Sequence, residues 1–516
     1  MSTKANSVID RLVRNPAGLY WLLATYFAVN VLLRLAGPAS LEFDESQQLF
    51  FAQWFAIGYD SQPPFYNWLQ YGVVQLLGDT MLALTLLKNT LLFLSYLLFG
   101  LAAHIVLRDR ILAVIATLDL IIIPQIGYEA QRDLTHTVAL LLSSCMFLYC
   151  FLRTLERPTA LNYALTGIAV GIGILSKYNF VLMPAVAVLS AVSLPAFRAR
   201  VLDPRVLLTA LVAVIIVTPH AIWFLANFDD ATQRTLSKLG RGASDSRLSN
   251  ALTGIGSLAG AIVSVTLPTI IVFALAFGRD LGRAWRAQSQ WTMLLGTMMV
   301  AATLILFLAT ASGEISFIDD RWIAPLFLML PLYLCAKIEA AGDYRVSAKR
   351  RFGGVVIAVM VLVPLVLIGR PFLGFVGIYS KQNVPYGPAV TAILETNSDR
   401  PSLILAGDQH LAGNILLHTS GLPVTIPVQT GFPASYMFDA NHPLLVISRN
   451  RNGQPSAQLP QGLQRWLKNE AGLPSAPANA EDIALPYHYG RNGDLYHFSY
   501  AWIYPDAGSG AVSRSE

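Results

Sequence analysis

Four carboxylates stand just outside the ends of long apolar runs: Asp44 and Glu45 after the first run, Glu129 and Asp133 before a later one. A carboxylate is costly inside a bilayer, so acids gathered at one membrane boundary point to catalysis or binding. At the end of a preorganised helix such a group can act as a general base towards an incoming hydroxyl. Each aspartate also has an ordinary structural explanation. Asp44-Glu45-Ser46-Gln47 fits a capping pattern, with Asp44 as N-cap and Gln47 as its N3 partner. Asp133 immediately precedes an apolar run and stands where it would cap that helix. Two such aspartates beside Glu45, Glu129 and His136 favour chemistry.

The cations pose a similar choice. Lys177, between two apolar runs in Gly171 to Phe180, either snorkels to the interface or holds a lipid phosphate. Arg321, in Asp319-Asp320-Arg321-Trp322, either pairs with its neighbouring aspartates or meets the same phosphate. His136 and His220 are expected to be buried and hydrogen-bonded, with metal ligation the lesser alternative. Cys145, Cys150 and Cys335 all fall inside apolar segments and read as small buried hydrophobes.

The elements that must position these residues follow from composition. The 516-residue chain is 54% hydrophobic and only 13% charged, a balance that belongs to a polytopic α-helical membrane protein. Its net charge of +5 sits in short Lys/Arg clusters between apolar runs, which read as topology signals and exclude a nucleic-acid-binding face. The run from Gly18 to Ala36 is long enough to be a retained first helix rather than a cleaved signal. Runs at 18–36, 80–106, 110–127, 134–152, 160–176, 179–196, 206–226, 253–277, 290–311, 322–338 and 353–376 give about eleven transmembrane helices.

With the N-terminus inside, Arg108 and Arg110, Arg153 and Arg157, Arg198 to Arg205, Arg279 to Arg286, and Lys337 to Arg351 all face the cytoplasm, as the positive-inside rule requires. Segments 37–79, 128–133, 227–252 and 312–321, the Lys177 turn and the C-terminal part then share the outer face. Within 37–79, Phe50, Phe51, Trp54, Phe55 and Ile57 recur with a helical period. Tyr66, Trp68, Leu69 and Tyr71 follow the Gln62-Pro63-Pro64 break, and the pattern predicts two outer interfacial helices. From Gly377 the character changes. Strands at Ser402 to Ala406, Pro443 to Ser448 and Leu495 to Tyr504 and a helix at Gln461 to Asn469 predict a small C-terminal α/β domain; its Asp408-Gln409-His410 either simply ends a strand or helps the domain choose the acceptor. The division is therefore 1–376, transmembrane, and 377–516, outer.

These motifs resemble the C-type glycosyltransferases, in the superfamily of dolichyl-phosphate-mannose protein mannosyltransferases and bacterial lipid A aminoarabinose transferases. The resemblance rests on Glu42-Phe43-Asp44-Glu45, Gln62-Pro63-Pro64-Phe65-Tyr66-Asn67-Trp68, Gln131-Arg132-Asp133-Leu134, Gly173-Ile174-Leu175-Ser176-Lys177-Tyr178 and Arg321-Trp322-Ile323-Ala324-Pro325. It implies an inverting glycosyltransferase of the bacterial inner membrane, active on the periplasmic side. Its donor would be a polyprenyl-phosphate sugar, and its acceptor lipopolysaccharide, lipid A or another envelope glycolipid. Asp44 would be the general base and Asp133 a second essential acid; Lys177 and Arg321 would contact phosphate. Glu45, Gln62, Tyr66, Glu129, Arg132, His136 and Tyr178 would complete the substrate contacts.

Aminoarabinose transferases carry Glu-Lys before the Pro-Pro pair, where this chain has Ser61-Gln62. That departure argues against bound zinc and against aminoarabinose, leaves a divalent metal ion open as a cofactor, and admits a uronic acid, because rhizobial lipopolysaccharide galacturonosyltransferases are also similar. The competing classes are a transporter or lipid flippase and, among enzymes, a protein O-glycosyltransferase. Transporters keep their charges near the membrane midplane on broken helices, often with repeated halves; here the charges lie at the boundary.

Overall fold

The computed structural model describes residues 8–504 except 16, 343, 420, 428–441, 451, 470, 472 and 474–478; the tail after Ala507, which the sequence marks as Gly/Ser-rich, lies outside the described residues. The fold is predominantly helical. Among the described residues eight helices are long and apolar enough to cross a bilayer: Gly18–Ala36, Met81–Val106, His136–Glu156, Val206–Ala226, Arg247–Phe277, Gln290–Ala311, Asp320–Ala341 and Ser347–Val376. A further pair, Arg110–Ile122 and Gln125–Arg132, is bent by 70° at its break. The remaining two predicted spans are the shorter apolar helices Ala160–Ser176 and Tyr178–Ser193, separated by Lys177 in an extended backbone conformation (φ −165°, ψ 136°).

Burial explains why these helices need a lipid solvent. Only 11% of the most apolar stretch of Val206–Ala226 is buried in the protein, against 83% for His136–Glu156. A helix apolar all round yet mostly uncovered by protein is stable only where the surroundings are apolar too. The chain is a multi-pass membrane protein.

The residues form two compact units. The first comprises Met1–Asn30, Ile57–Tyr66 and Lys88–Pro364; the second comprises Val31–Ala56, Asn67–Leu87 and Leu365–Glu516. In the first unit Ala160–Ser176 packs between His136–Glu156 and Val206–Ala226. Gly167 allows the close approach on one side, since a Cβ there would come within 2.5 Å of the Thr209 carbonyl. On the other side hydroxyl pairs cross between helices, Ser143 with Ser176 at 2.8 Å and Thr154 with Thr166 at 2.9 Å, as expected where lipid supplies no hydrophobic force between helices.

The second unit contains the helix Phe43–Phe51, most of the helix Phe65–Leu77 and a five-stranded sheet. The first of these helices ends at Phe51, short of the aromatic period read from the sequence. Trp54 lies past its end and packs edge-on against Phe50 and Phe51, while Phe55 stacks on Trp68, so the aromatic spacing reflects a folded-back turn. The sheet has β1 (Leu403–Ala406), β2 (Val424–Thr425), β3 (Leu444–Ser448), β4 (Glu481–Pro486) and β5 (Leu495–Ile503) in the order β2-β1-β3-β5-β4. β1 runs parallel to β2 and β3, and β5 antiparallel to β3 and β4.

β1 and β3 are buried at every position, the pattern of strands covered on both faces. Leu463 and Leu467 of the helix Gln461–Asn469 share one core with Leu403, Leu405, Leu444 and Val446. Asp408 does not simply end a strand: its side chain accepts the Leu411 amide at 2.8 Å and caps the helix Gln409–His418.

Candidate active site

Asp44 is the second residue of Phe43–Phe51, and the structure removes it from the capping role. Glu42 is the N-cap, and the Glu45 carboxylate accepts the Glu42 amide at 3.1 Å in a reciprocal capping box. The helix therefore starts two residues earlier than an Asp44 cap would require. Glu42 and Glu45 are buried, whereas Asp44 is half-buried. Glu45, expected to touch substrate, is instead engaged by the framework: Arg34 pairs with it at 2.9 Å and also holds the Pro38 and Ser40 carbonyls. Arg370 pairs with Glu42 at 3.2 Å.

The C-terminal part of the second unit grips this helix. The Leu41 amide donates to Asn414 at 2.8 Å, His410 Nε2 lies 2.9 Å from the Leu41 carbonyl, and Gln47 donates to Gln409 at 3.0 Å. Gly413 sits so close that a Cβ would reach 2.0 Å from the Ser46 carbonyl. Burial and the neighbouring Arg449 guanidinium push the His410 imidazole down to about 4.

In the first unit Asp133 emerges from a broken helix. Pro124 precedes a π-helical turn, Gln125–Glu129, continued by Ala130–Arg132. Gly127 fits against the Ile121 carbonyl, where a Cβ would come within 2.0 Å; π-turns of this kind occur often at functional sites. Asp133 is the residue at which the helix stops (φ −149°, ψ −28°). It does not cap the next one, because Thr135 is the N-cap of His136–Glu156. Glu129 and Arg132 pair with each other at 2.5 Å.

The remaining candidates in this unit are linked by contacts. The rings of Tyr66 and His136 lie 6.0 Å apart. Lys177 Nζ donates to Thr137 at 3.1 Å, one residue after His136. Asn179 donates to the Trp322 carbonyl at 2.9 Å, tying the Lys177 turn to the Arg321 helix. Arg321 pairs with Asp319 at 3.0 Å, the ordinary pairing foreseen for it. Asp320 accepts Gln125 of the π-turn at 2.7 Å and Ser264 at 2.8 Å. Tyr178 meets His220 at 3.1 Å, and the other His220 ring nitrogen lies 3.0 Å from the Ile57 carbonyl, so His220 is the satisfied core histidine. The Gln62 backbone amide donates to the Asp60 carboxylate at 3.0 Å.

Among the described residues no group of three His, Cys, Asp or Glu side chains could hold a metal ion. The three cysteines are free and buried.

Sequence reasoning passed over Lys88 and Asn89, which are 2% and 3% exposed on Met81–Val106. Lys88 donates to the Gln131 carbonyl at 3.4 Å, and Asn89 accepts the Gln131 side-chain amide at 2.9 Å. The signal was a lysine inside an apolar run, which is itself a reason to look for function.

The sequence pattern of the dolichyl-phosphate-mannose-protein mannosyltransferase family matches residues 61–223. Over 491 residues the chain is 44% identical to the lipopolysaccharide core galacturonosyltransferase RgtB of Rhizobium johnstonii, covering 95% of this chain and 98% of that one. Over 504 residues it is 39% identical to RgtA, also a lipopolysaccharide core galacturonosyltransferase of that organism, covering 97% and 100%. The crystal structure of ArnT from Cupriavidus metallidurans bound to undecaprenyl phosphate superposes with a TM-score of 0.56 at 12% identity, covering 93% of this chain and 98% of that one, a likeness of fold. With that fold and near-full-length identity to two sugar transferases, the chain is a glycosyltransferase and belongs to the family of the lipopolysaccharide core galacturonosyltransferases.

Proposed function

We propose that this enzyme transfers galacturonic acid, with inversion, from a polyprenyl-phosphate donor to the lipopolysaccharide core at the periplasmic face of the inner membrane. The observation that carries this reading is the 44% identity along 491 residues to an enzyme of that acceptor and sugar. Gln62 in place of a charged residue before Pro63-Pro64 supports a donor other than aminoarabinose. The basic clusters from Arg108 to Arg351 support the orientation.

In the reaction the acceptor hydroxyl gives its proton to Asp44 as its oxygen bonds to the anomeric carbon. The bond from that carbon to the phosphate oxygen breaks, and the polyprenyl phosphate leaves with the electron pair. Since the leaving group is already good, the protein must mainly activate the acceptor, stabilise phosphate charge and exclude water. Lys177 and Arg321 supply the positive charge, and Asp133 orients donor or acceptor. Residues 377–516 serve as the outer domain.

Mass spectrometry of envelope glycolipids from cells with and without the protein tests the assignment. The expected result is a lipopolysaccharide core lighter by a hexuronic acid residue when the protein is missing. An unchanged core with loss of a glycan from envelope proteins would instead establish a protein O-glycosyltransferase.

A further inference from the structure

We propose that Lys88 is a positioning residue for Asp133: together with Asn89 it fixes the end of the broken helix from which Asp133 emerges. This inference rests on the reading of Asp133 as an essential acid. Lys88 is the eighth residue of Met81–Val106 and is 2% exposed. An ammonium in such surroundings is costly and is kept where it has a partner and a task.

The task follows from backbone chemistry. The last-turn carbonyls of a helix have no partner within it, and in an apolar environment each needs a donor from elsewhere. Gln131 lies in the last turn before Asp133, and Lys88 Nζ donates to its carbonyl at 3.4 Å. A cation at a helix C-terminus also matches the sign of the helix dipole. The Gln131 side chain is held independently, its amide donating to Asn89 Oδ1 at 2.9 Å. Two adjacent residues of one helix thus hold both the backbone and the side chain of a residue two positions before Asp133. At the other end of the segment Gln125 is fixed by Asp320 and Ser264 at 2.7 and 2.9 Å. Asp133 itself has left helical geometry while its amide still donates to the Glu129 carbonyl at 3.1 Å, so the anchors on this segment bear directly on where its side chain stands.

Lys337 provides an internal comparison. It too is buried, and its Nζ donates to the carbonyls of Trp285 and Ala287 at 3.0 and 2.7 Å, just past the helix Arg279–Ala284. That cap serves no residue assigned to the reaction, so it shows what a purely structural lysine of this kind does.

The test is steady-state kinetics on the purified full-length enzyme, varying the polyprenyl-phosphate galacturonic acid donor, with Lys88→Met, Lys88→Arg, Asn89→Leu, Gln131→Leu, Asp133→Asn and Lys337→Met assayed in parallel. A displaced catalytic group costs up to roughly a hundredfold, so Lys88→Met should lower kcat about ten- to a hundredfold with little change in the donor KM. Lys88→Arg should restore part of that loss, and Asn89→Leu combined with Lys88→Met should lose less than the product of the single effects. Lys337→Met should lower thermal stability and leave kcat unchanged. Should Lys88→Met fail to fold, Asn89→Leu and Gln131→Leu still decide, since each removes one anchor and should lower kcat in the same way. The inference is overturned if Lys88→Met keeps its kcat, if only its donor KM rises, or if it behaves like Lys337→Met. An active Asp133→Asn enzyme would sink the role of Asp133 itself, a result read separately from any effect at Lys88.

Discussion

Three carboxylates fall within four residues at the start of Phe43–Phe51, and their surroundings give them different work. Glu42 and Glu45 are buried, paired with Arg370 and Arg34, and cap the helix. Asp44 sits between them, relieved of capping and half-exposed. Asp44→Asn should therefore lower turnover by roughly a hundred- to ten-thousandfold, the range for a lost general base, while leaving the melting temperature close to that of the unaltered enzyme. Glu45→Gln should do the reverse in kind: breaking a buried pair costs about 3 to 5 kcal/mol, read as a lowered melting temperature. If the two variants showed the same defect, the division of labour would be wrong. Lys177 is tested by Lys177→Met, which keeps the apolar stem but loses a charge-assisted hydrogen bond of about 1.5 to 3 kcal/mol. Donor affinity should weaken by roughly tenfold to somewhat over a hundredfold. An unchanged donor affinity would return Lys177 to snorkelling and leave Arg321 as the phosphate contact. The sequence marks both aspartates as candidates and misjudges their structural alternatives, since Glu42 and Thr135 are the N-caps. Side-chain pairs such as Arg34 with Glu45 decide which acid caps, and the local spacing does not contain them.

At the scale of elements, apolar runs were legible because each is long and continuous: the observed helices account for the spans predicted, including the two short ones on either side of Lys177. The helix Gln461–Asn469 falls where its pattern placed it. The two-residue β2, the edge strand β4 and the helix Gln409–His418 were missed, because their periodicity is brief and they are fixed by partners distant in sequence. Gln409–His418 illustrates the point: Gly413, Asn414 and His410 matter through Ser46 and Leu41. The same contact predicts a pH response. His410 is neutral when folded, held near 4 by burial and Arg449 against an ordinary value of 6.5, with Lys381 acting in the same direction and Asp408 against it. Between 6.5 and about 4 the unfolded chain takes up a proton that the folded chain does not. Stability from this group is thus present above 6.5 and lost as the pH falls through that window. Melting temperatures measured from pH 7.5 to 4.5 should drop, and His410→Gln should flatten the part of the slope due to this residue. An equally steep slope in that variant would assign the response to other groups.

For the whole molecule, the question with the most consequences is which residues face which compartment. The short basic clusters follow alternate spans, and one orientation sends every one of them to the cytoplasm. The loop at Arg157 then lies inside, whereas the chain beyond Gly377 lies outside, in keeping with a sheet that carries no apolar span. The broken pair Arg110–Ile122 and Gln125–Arg132 is the sensitive point. Counting it as one crossing, and each of Ala160–Ser176 and Tyr178–Ser193 as another, places Asp133 and Lys177 on the same side as Asp44. A re-entrant excursion at the break would invert everything downstream. Reporter fusions after Arg157 and after Gly377 separate these cases: opposite compartments are expected, with the latter fusion periplasmic. A periplasmic signal from the Arg157 fusion with a cytoplasmic signal from the Gly377 fusion would put the acid-bearing segments on different faces and end the assignment of Asp44 and Asp133 to one reaction.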